Sequence, residues 1–327
     1  MDRKDLKKAA FAVVALILVL VILYSGLRIL ESTVFYKPDD EQPGDSKWIY
    51  RDGIGYYPRQ DITVVLLLGI DRMGTITGGE EDRNHAADVF SLLILDEQKQ
   101  EVSILLLNRD TMVMMEGLDK DGMPNGTKYY SQLALSHGFG TGREDSCDNA
   151  RKTVSQLLYG IQIDYYVSMN MGGISVLNDA VGGVTVNVKD DFSQIDPTIG
   201  MGEVKLNGEQ AMHFIRTRKG LGDQLNISRM ERHKEYFRGL LTAFKEQKEQ
   251  SDTFGVSMYE QISPYIVTDC SSNVLSSMLD RYAEYTLKEV ISPEGENTRG
   301  EKYMEFYLDE QALDALILRL FYAPKES

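Results

Sequence analysis

The N-terminal part of the chain contains a long apolar segment. Residues 9–30 read AAFAVVALILVLVILYSGLRIL and carry no charge up to Gly26. About 20 apolar residues suffice for a helix to cross the hydrocarbon core of a bilayer. Residues 9–30 are therefore predicted to form one transmembrane helix. A cleaved signal peptide is the alternative, although its apolar core is usually shorter and a small-residue cleavage site normally follows it.

The charges that flank this segment predict its orientation. Residues 1–8 contain four basic residues against two aspartates. Basic residues mark the cytoplasmic side of a membrane helix. Residues 1–8 are thus expected to be a cytoplasmic tail, and everything beyond residue 30 an extracytoplasmic part of a single-pass cell-membrane protein.

The pattern after the membrane segment predicts an α/β domain. Residues 31–60 are polar and rich in helix breakers, as is typical of a juxtamembrane stalk. Short apolar β-rich runs, expected to be buried strands, then alternate with stretches of helical periodicity, which indicates helices layered around a sheet. The predicted strands are 62–69, 88–96, 101–107, 165–169 and 184–188; the predicted helices are 148–158, 173–180, 207–213, 227–247, 272–285 and 309–321; the domain is expected to span 61–322.

The composition of the chain disfavours two kinds of function, nucleic-acid binding and a structural zinc site. Lys and Arg number 35 against 50 Asp and Glu, a formal net charge of −15. Nucleic-acid-binding domains usually present a basic surface, so no nucleic-acid partner is expected. The two cysteines, Cys147 and Cys270, either pair on the oxidising side of the membrane or stay as buried thiols. The four histidines are scattered, which disfavours a structural zinc site.

Two aspartates occur at predicted strand ends. Asp71 follows the strand 62–69 with one residue between them, and Asp88 opens the next strand. Ligands in α/β proteins bind at the carboxyl ends of strands. Two carboxylates brought together there suit a hard cation such as Mg²⁺. Each aspartate alone is equally compatible with a surface turn.

Arginines recur at similar positions and suit phosphate. Arg109 follows the strand 101–107, and Arg216 and Arg218 face the same side if their segment is extended. Alternatives are a structural pair of Arg109 with Asp110 and solvated charge at 216–218.

Arg229 indicates an anion-binding site more specifically than the other arginines do. Ser228 and Glu231 are read as a capping box, which puts Arg229 in the first helical turn, where acids are usually preferred. A helix N-terminus with a cation favours an anion. Arg232 and His233 follow in the next turn. Together the residues suggest phosphoryl chemistry, and no nucleophile elbow, HExxH or Walker motif competes.

The chain resembles the LytR-CpsA-Psr family of the Gram-positive cell envelope. Seven stretches carry the resemblance in order, behind the membrane segment: LLLGID (66–71), AADVFSLLILD (86–96), LLLNRDT (105–111), YGIQIDYYVSMN (159–170), LNDAVGGVTVNV (177–188), LNGEQAMHFIRTRKG (206–220) and SRMERHKEYF (228–237).

The resemblance implies a three-layer α/β/α sandwich with a central mixed sheet. It implies transfer of a polyprenyl-pyrophosphate-linked glycopolymer, such as teichoic acid or capsule, to peptidoglycan, with the lipid in an apolar tunnel. Asp71 and Asp88 would hold Mg²⁺ and, with Arg109, form the catalytic set, in which either aspartate could act as base. The pyrophosphate ligands would be Arg109, Arg216, Arg218 and Arg229, with Arg83, Arg232 and His233 as further candidates.

The chain departs from the family pattern at three places. Ala86 stands where an arginine is usual, and Arg83 is its candidate substitute. His233 stands for a glutamine, and the K-x-N-x-A-Y stretch is poorly matched near Lys128 and residues 130–135. Two rival functions therefore stay open: a pyrophosphatase, and a non-catalytic binder of lipid-linked glycopolymer. The family's historical label, transcriptional regulator, disagrees with the predicted topology and charge.

Overall fold

A mixed β-sheet forms the centre of the protein. The structure, a computed structural model, describes residues 49–51, 53–218, 220–221 and 226–325. The sheet has six strands in the order β11-β8-β3-β4-β5-β12. Strand β3 pairs in parallel with β8 and antiparallel with β4, and β5 pairs antiparallel with β4 and in parallel with β12. The bounds are β3 Ile62–Ile70, β4 Ala87–Asp96, β5 Glu101–Leu107, β8 Tyr165–Asn170, β11 Ile266–Thr268 and β12 Thr286–Ile291.

Smaller strand groups surround this sheet. One has three strands and joins the two ends of the described chain, and the others are two-stranded and antiparallel. The three-stranded group is β1 Ile49–Arg51, β2 Ile54–Pro58 and β15 Tyr322–Pro324; the pairs are β6 Met112–Leu118 with β7 Pro124–Gln132, β9 Val184–Val188 with β10 Gly202–Leu206, and β13 Gly295–Arg299 with β14 Met304–Leu308.

Helices cover both faces of the central sheet, which gives the predicted three layers. The helices are α1 Glu144–Leu157, α2 Gly172–Ala180, α3 Gly208–Arg216, α4 Asn226–Gln250, α5 Phe254–Ile262, α6 Ser272–Tyr282 and α7 Glu310–Phe321. Alternate residues of a strand point to opposite faces. Leu66 thus joins the core formed with α1 and α7, while its neighbour Val65 joins the core formed with α4 and α6. This alternation explains why the central strands are apolar on both faces.

The structure corrects two sequence predictions and decides between the two alternatives for the cysteines. The folded unit begins at Ile49, because β1 and β2 pair with the C-terminal β15, so the second half of the expected stalk is part of the domain. Helix α4 begins at Asn226, which places Ser228 inside its first turn and rules out Ser228 as the N-cap. Cys147 and Cys270 are both buried free thiols, so they do not form a disulfide.

The membrane prediction falls outside the described residues. Within residues 49–325, as far as they are described, none of the helices has the length and apolar character needed to cross a membrane. The expected cytoplasmic tail (1–8) and transmembrane helix (9–30) precede Ile49, and both stay predictions.

Candidate functional site

The predicted site residues converge at one edge of the central sheet. Asp71 follows the end of β3 and Arg109 follows the end of β5 by two residues. Strand β4 runs in the opposite direction, so its start, with Asp88, lies at the same edge. Asp71 and Arg109 thus lie at the carboxyl ends of strands, as the sequence predicts, and an antiparallel strand supplies Asp88.

A β-bulge sets the position of Asp88. Gly69 pairs with Val89 and Ile70 pairs with Ala87, which leaves Asp88 as the extra residue on β4. A bulge re-aims the side chain that it carries, and bulges recur beside functional sites. The bulge is what directs this carboxylate toward the arginines, although its neighbours in the strand are core residues.

Asp88 lies between two arginines. Arg229 Nη1 is 2.9 Å from Asp88 Oδ2, and Arg109 Nη1 forms an ion pair with Asp88 Oδ1. The side chains of Asp88 and Arg229 are only 8% and 4% exposed, and that of Arg109 is 19% exposed. Removing one partner of a buried ion pair leaves an uncompensated charge. The trio is therefore a single electrostatic unit, held together in the absence of ligand.

Two asparagines, missed by the sequence analysis, fix Arg229. The Oδ1 atom of Asn226 accepts hydrogen bonds from Arg229 Nε at 3.0 Å and Nη2 at 2.6 Å. Asn226 Nδ2 donates to Asn108 Oδ1 at 2.8 Å, and the Asp110 backbone N–H donates to the same oxygen at 3.0 Å. The first residue of α4 is thus tied to the end of β5. The only sequence signal was an asparagine directly before a predicted helix, a position that asparagine favours.

The asparagine bridge leads to a testable prediction. We expect Asn226→Ala to remove the acceptor of two Arg229 N–H groups and one of the two donors to Asn108 Oδ1, and so to lower the free energy of unfolding by about 2 kcal/mol. Chemical denaturation of the full-length chain measures this. Asn125→Ala, at an exposed asparagine of the β6–β7 hairpin, is the control and should cost far less. An equal loss in both variants would contradict the bridge.

Burial and mutual repulsion lower the pKa values of Arg109 and Arg229. The pKa of Arg229 is lowered to about 10, first by burial and then by the charge of Arg218. The pKa of Arg109 is also lowered by burial, with Asp110 opposing the shift and Arg229 and Arg218 adding to it. Arg109 and Arg229 stay cationic at neutral pH, and the neighbouring positive charges destabilise one another. An incoming anion relieves this repulsion, so the site is suited to a polyanionic group.

Arg216 and Arg218 lie at the exposed rim of this cluster. Arg216 is the last residue of α3, and Thr217 has an extended backbone, so the segment is not the continuous strand that would align both arginines. Arg216 Nη2 is 3.1 Å from Asp71 Oδ1, with both side chains about half exposed at 47% and 48%. Arg218 is exposed, and its charge reaches both Arg109 and Arg229. Rim residues of this kind can reorient toward a ligand at low cost.

The three secondary candidates have other partners. Arg232 donates to the Phe214 carbonyl at 2.9 Å and to the Thr217 carbonyl, and it pairs with Asp190 at 2.5 Å. It is buried and supports the backbone that carries Arg216 and Arg218. Arg83 contacts the Lys120 carbonyl and Glu80 rather than the space beside Ala86. These contacts place Arg232 behind the segment 214–217 and Arg83 beside residue 120, and a role in ligand binding stays a prediction for both.

His233 supports the same segment as a neutral group. Its Nε2–H donates to the Ile215 carbonyl at 3.1 Å, and burial, with a smaller effect of Arg229, lowers its pKa to about 3. His137 is likewise buried, and its pKa is lowered to about 4. Both rings are therefore uncharged in the folded protein at neutral pH.

These histidines predict a loss of stability in acid. A histidine in the unfolded chain has a pKa near 6.5, so below that pH the unfolded chain binds protons that the folded chain does not bind. The free energy of unfolding therefore falls as the pH falls toward the pKa values of the folded protein. We expect each histidine to remove about 2 kcal/mol between pH 7 and pH 5. Denaturation of His233→Gln, which keeps a donor for Ile215, should show a flatter dependence than the unsubstituted chain. Identical slopes would contradict the prediction.

An apolar cavity of about 350 Å³ lies beside the arginine cluster. It is bounded by the sheet on one side and by α4, α5 and α6 on the other. Three of its lining residues are sequence neighbours of the site: Val89 follows Asp88, Ile215 precedes Arg216, and His233 lies one turn after Arg229. Further lining residues include Leu67, Leu93, Phe237, Leu241, Met278 and Tyr282. Part of what the sequence marked as ordinary core therefore bounds an open volume.

The residues that could hold a metal are two carboxylates. Asp71 is half exposed and Asp88 is buried, and the Asp71 N–H donates to the Ala86 carbonyl at 3.2 Å, which keeps the two chain segments adjacent. Among the described residues, no cluster of three or more His, Cys, Asp or Glu side chains is suited to a metal. Two carboxylates fit Mg²⁺ when substrate phosphates complete the coordination.

A mixed sheet with helices on both faces, a buried arginine cluster and an adjoining apolar cavity define the class of this domain. The chain belongs to the LytR_cpsA_psr family, whose sequence profile matches residues 39–320.

Two relatives are named as teichoic acid transferases. The polyisoprenyl-teichoic acid–peptidoglycan teichoic acid transferase TagU of Oceanobacillus iheyensis is 27% identical over 232 residues, which are 69% of this chain and 65% of the relative. TagU of Enterococcus faecalis is 33% identical over 181 residues, 54% of this chain and 52% of the relative. The chain thus matches about half to two thirds of the length of these relatives.

Solved structures share the fold. TagT bound to LI-WTA aligns with a TM-score of 0.61 at 22% identity, covering 80% of this chain and 90% of that one. TagV of B. subtilis aligns with a TM-score of 0.60 at 22% identity, covering 80% and 96%. A protein from Streptococcus agalactiae reaches 0.64 at 23% identity, covering 80% and 86%. At these identities the likeness establishes the fold alone.

Proposed function

We propose that this protein transfers a glycopolymer from a polyprenyl-pyrophosphate carrier to peptidoglycan through a phosphodiester bond, at the outer side of the cell membrane. One observation carries the proposal: a buried arginine cluster adjoins an apolar cavity. A polyprenyl pyrophosphate has the matching shape, with a polyanionic head on an apolar chain. The names of the TagU relatives support teichoic acid as the glycopolymer and peptidoglycan as the acceptor.

The arginines would bind the pyrophosphate. Arg109 and Arg229 form the buried end of the site, and Arg216 and Arg218 close it from the rim. Guanidinium groups bind phosphate oxygens in bidentate fashion and spread the charge that develops on them. Ala86 removes one cation that the family pattern usually supplies, so the site depends more heavily on these four.

The proposed reaction is a substitution at phosphorus. A sugar hydroxyl of peptidoglycan attacks the phosphorus that carries the glycopolymer, a new P–O bond forms, and the bond to polyprenyl phosphate breaks. The hydroxyl proton passes to a base, and polyprenyl phosphate leaves with the bridging oxygen. Either aspartate could take this proton, and Asp71 is the more accessible of the two, because its carboxylate is about half exposed, whereas Asp88 is buried between two arginines.

We propose that Asp71 and Asp88 would hold Mg²⁺ together with phosphate oxygens of the substrate. Bound there, it would neutralise charge on the pyrophosphate and on the leaving phosphate. Asp88 would then give up part of its contact with Arg109 and Arg229. These two arginines would bind the phosphates of the substrate instead.

A reconstituted assay tests the proposal. The full-length chain is incubated with a synthetic polyprenyl-pyrophosphate glycan, peptidoglycan oligomers and Mg²⁺, and the phosphodiester-linked product is followed by mass spectrometry. Product that disappears with a chelator supports the transferase and its metal. Release of polyprenyl phosphate without linked product would establish the rival pyrophosphatase, and tight donor binding without turnover the non-catalytic binder.

The cavity leads to a separate prediction. Leu67→Trp fills part of the cavity, so we expect the dissociation constant for a polyprenyl pyrophosphate to rise at least about tenfold, whereas that for inorganic pyrophosphate stays unchanged. Calorimetric titration of both ligands measures this. Val256→Trp, at an exposed position of α5, is the control. Equal effects on both ligands would show that the cavity does not hold the prenyl chain.

A further inference from the structure

The β6–β7 hairpin begins directly after Arg109 and Asp110 and presents an exposed aromatic surface. Met114 pairs with Tyr130 across the hairpin, so both side chains lie on one face. They are 52% and 56% exposed. Tyr129 points to the opposite face and stacks on Phe139 with ring centroids 5.1 Å apart. Tyr129 therefore has a packing role, which the exposed Tyr130 does not share.

A second hairpin extends this surface. On β14, Phe306 is buried, while Tyr307 is 42% exposed and its hydroxyl donates to Glu305 Oε2 at 2.7 Å. The two hairpins adjoin, because Thr111, directly before β6, forms a bridge with Phe306 of β14. The pKa of Tyr307 is raised first by its hydrogen bond to Glu305 and then by burial, with a smaller contribution from Tyr130. We call the set Met114, Tyr130, Glu305 and Tyr307 the tyrosine platform.

The platform is fixed to the arginine site by buried hydrogen bonds. Gln132 Nε2 donates to Asp110 Oδ1 at 2.9 Å and to the Met304 carbonyl at 2.7 Å. The Phe306 N–H donates to the Asp110 carbonyl at 2.9 Å. Both hairpins are thus attached to the residue next to Arg109. Gln132 and Tyr130 are two residues apart on β7, so the platform begins about 7 Å from this junction.

The chemistry of the platform matches a carbohydrate. Exposed tyrosine rings offer flat faces to the C–H side of a sugar ring, and their hydroxyls and a neighbouring carboxylate can bond sugar hydroxyls. A lipid surface fits poorly, because Glu116 and Glu305 flank the rings and the chain has a net charge of −15. The position of the platform also favours a carbohydrate, because it adjoins a site whose proposed acceptor is a polysaccharide.

We propose that Tyr130 and Tyr307 form a subsite for the peptidoglycan glycan strand, which holds the acceptor sugar beside Arg109. The proposal rests on the proposed function and names the surface that its acceptor would use. The strand would run along the hairpin face from Gln132 toward the Glu116–Lys128 pair, a path of about 14 Å.

Binding of the acceptor can be measured without turnover. Soluble glycan-strand fragments of peptidoglycan are titrated into the full-length chain, and the dissociation constant is compared for the unsubstituted chain and for Tyr130→Ala/Tyr307→Ala. We expect binding about tenfold weaker in the double variant, and near-normal binding in Tyr130→Phe/Tyr307→Phe, which keeps the rings. Tyr50→Ala, at a 76% exposed tyrosine on β1, is the matched control and should bind normally.

Three outcomes would overturn the subsite. One is unchanged glycan binding in the double alanine variant. Another is weaker binding of the polyprenyl-pyrophosphate donor with normal glycan binding, which would assign the platform to the donor. The third is a change of oligomeric state in the double variant, which would assign it to a second copy of the chain. A chain that binds the fragments through these tyrosines but transfers nothing would keep the subsite and refute the transferase.

Discussion

Arg109→Ala is expected to lower the rate of glycopolymer transfer at least about a hundredfold, as removal of one well-placed charge donor typically does. Of the two arginines that contact Asp88, Arg109 is the more accessible to solvent. It lies between the end of β5 and the start of the β6–β7 hairpin. Without it, Asp88 keeps Arg229 as a partner, so the fold should survive. Initial rates in the reconstituted assay measure the effect, and thermal unfolding verifies the fold.

Two further variants sharpen this prediction. Arg109→Lys keeps a charge but loses the planar pair of donors, so its activity should recover only in part. Arg319→Ala, at a half-exposed arginine that pairs with Glu289 away from the sheet edge, should transfer at the normal rate. Normal activity of Arg109→Ala would remove the arginine cluster from the mechanism.

Residue types at strand and helix ends predicted the core of the site. Asp71 and Arg109 follow apolar runs, Asp88 begins one and Arg229 lies in a first helical turn, and the structure brings them to one edge. The reason is topological: β3 and β5 end at that edge and the antiparallel β4 begins there. The pattern of apolar runs also predicted five strands and the covering of both faces.

What the sequence did not predict depends on pairing between distant segments. The bulge at Asp88 exists only in the register of β4 against β3, and the Asn226–Asn108 bridge joins residues 118 positions apart. The β6–β7 hairpin escaped notice because nearly all of β7 is exposed and lacks an apolar alternation. Arg232 resembled a phosphate ligand in sequence, since only the folded chain reveals the carbonyl groups that it holds.

Ala86 has a physical consequence for the balance of charges. Asp88 pairs with both buried cations, Arg109 and Arg229, and Asp110 Oδ1, which accepts a hydrogen bond from Gln132, lies 3.6 Å from Arg109 Nε. A further arginine beside Asp88 would add repulsion among these cations and attraction for a bound polyanion. The alanine therefore lowers the repulsion within the cluster at the expense of affinity for pyrophosphate.

Asp88→Ala tests this balance and should have the largest effect on stability. Removing the shared carboxylate leaves Arg229 without its carboxylate partner and Arg109 with Asp110 alone, and loss of one partner of a buried pair typically costs about 3 to 5 kcal/mol. We expect the free energy of unfolding of the full-length chain to fall by about 3 kcal/mol when metal is excluded by a chelator. Saturating inorganic pyrophosphate should restore most of this loss, because it replaces the missing negative charge and binds only the folded state.

The comparison with a second buried aspartate separates this effect from ordinary destabilisation. Asp82 is 2% exposed and pairs with Arg72, the residue after Asp71, rather than with Arg109 or Arg229. Asp82→Ala should also lose stability, but pyrophosphate should stabilise it no more than the unsubstituted chain. Pyrophosphate should raise the free energy of unfolding of Asp88→Ala by more, because the anion no longer competes with the carboxylate for Arg109 and Arg229. Equal gains in all three proteins would mean that these arginines do not bind the pyrophosphate.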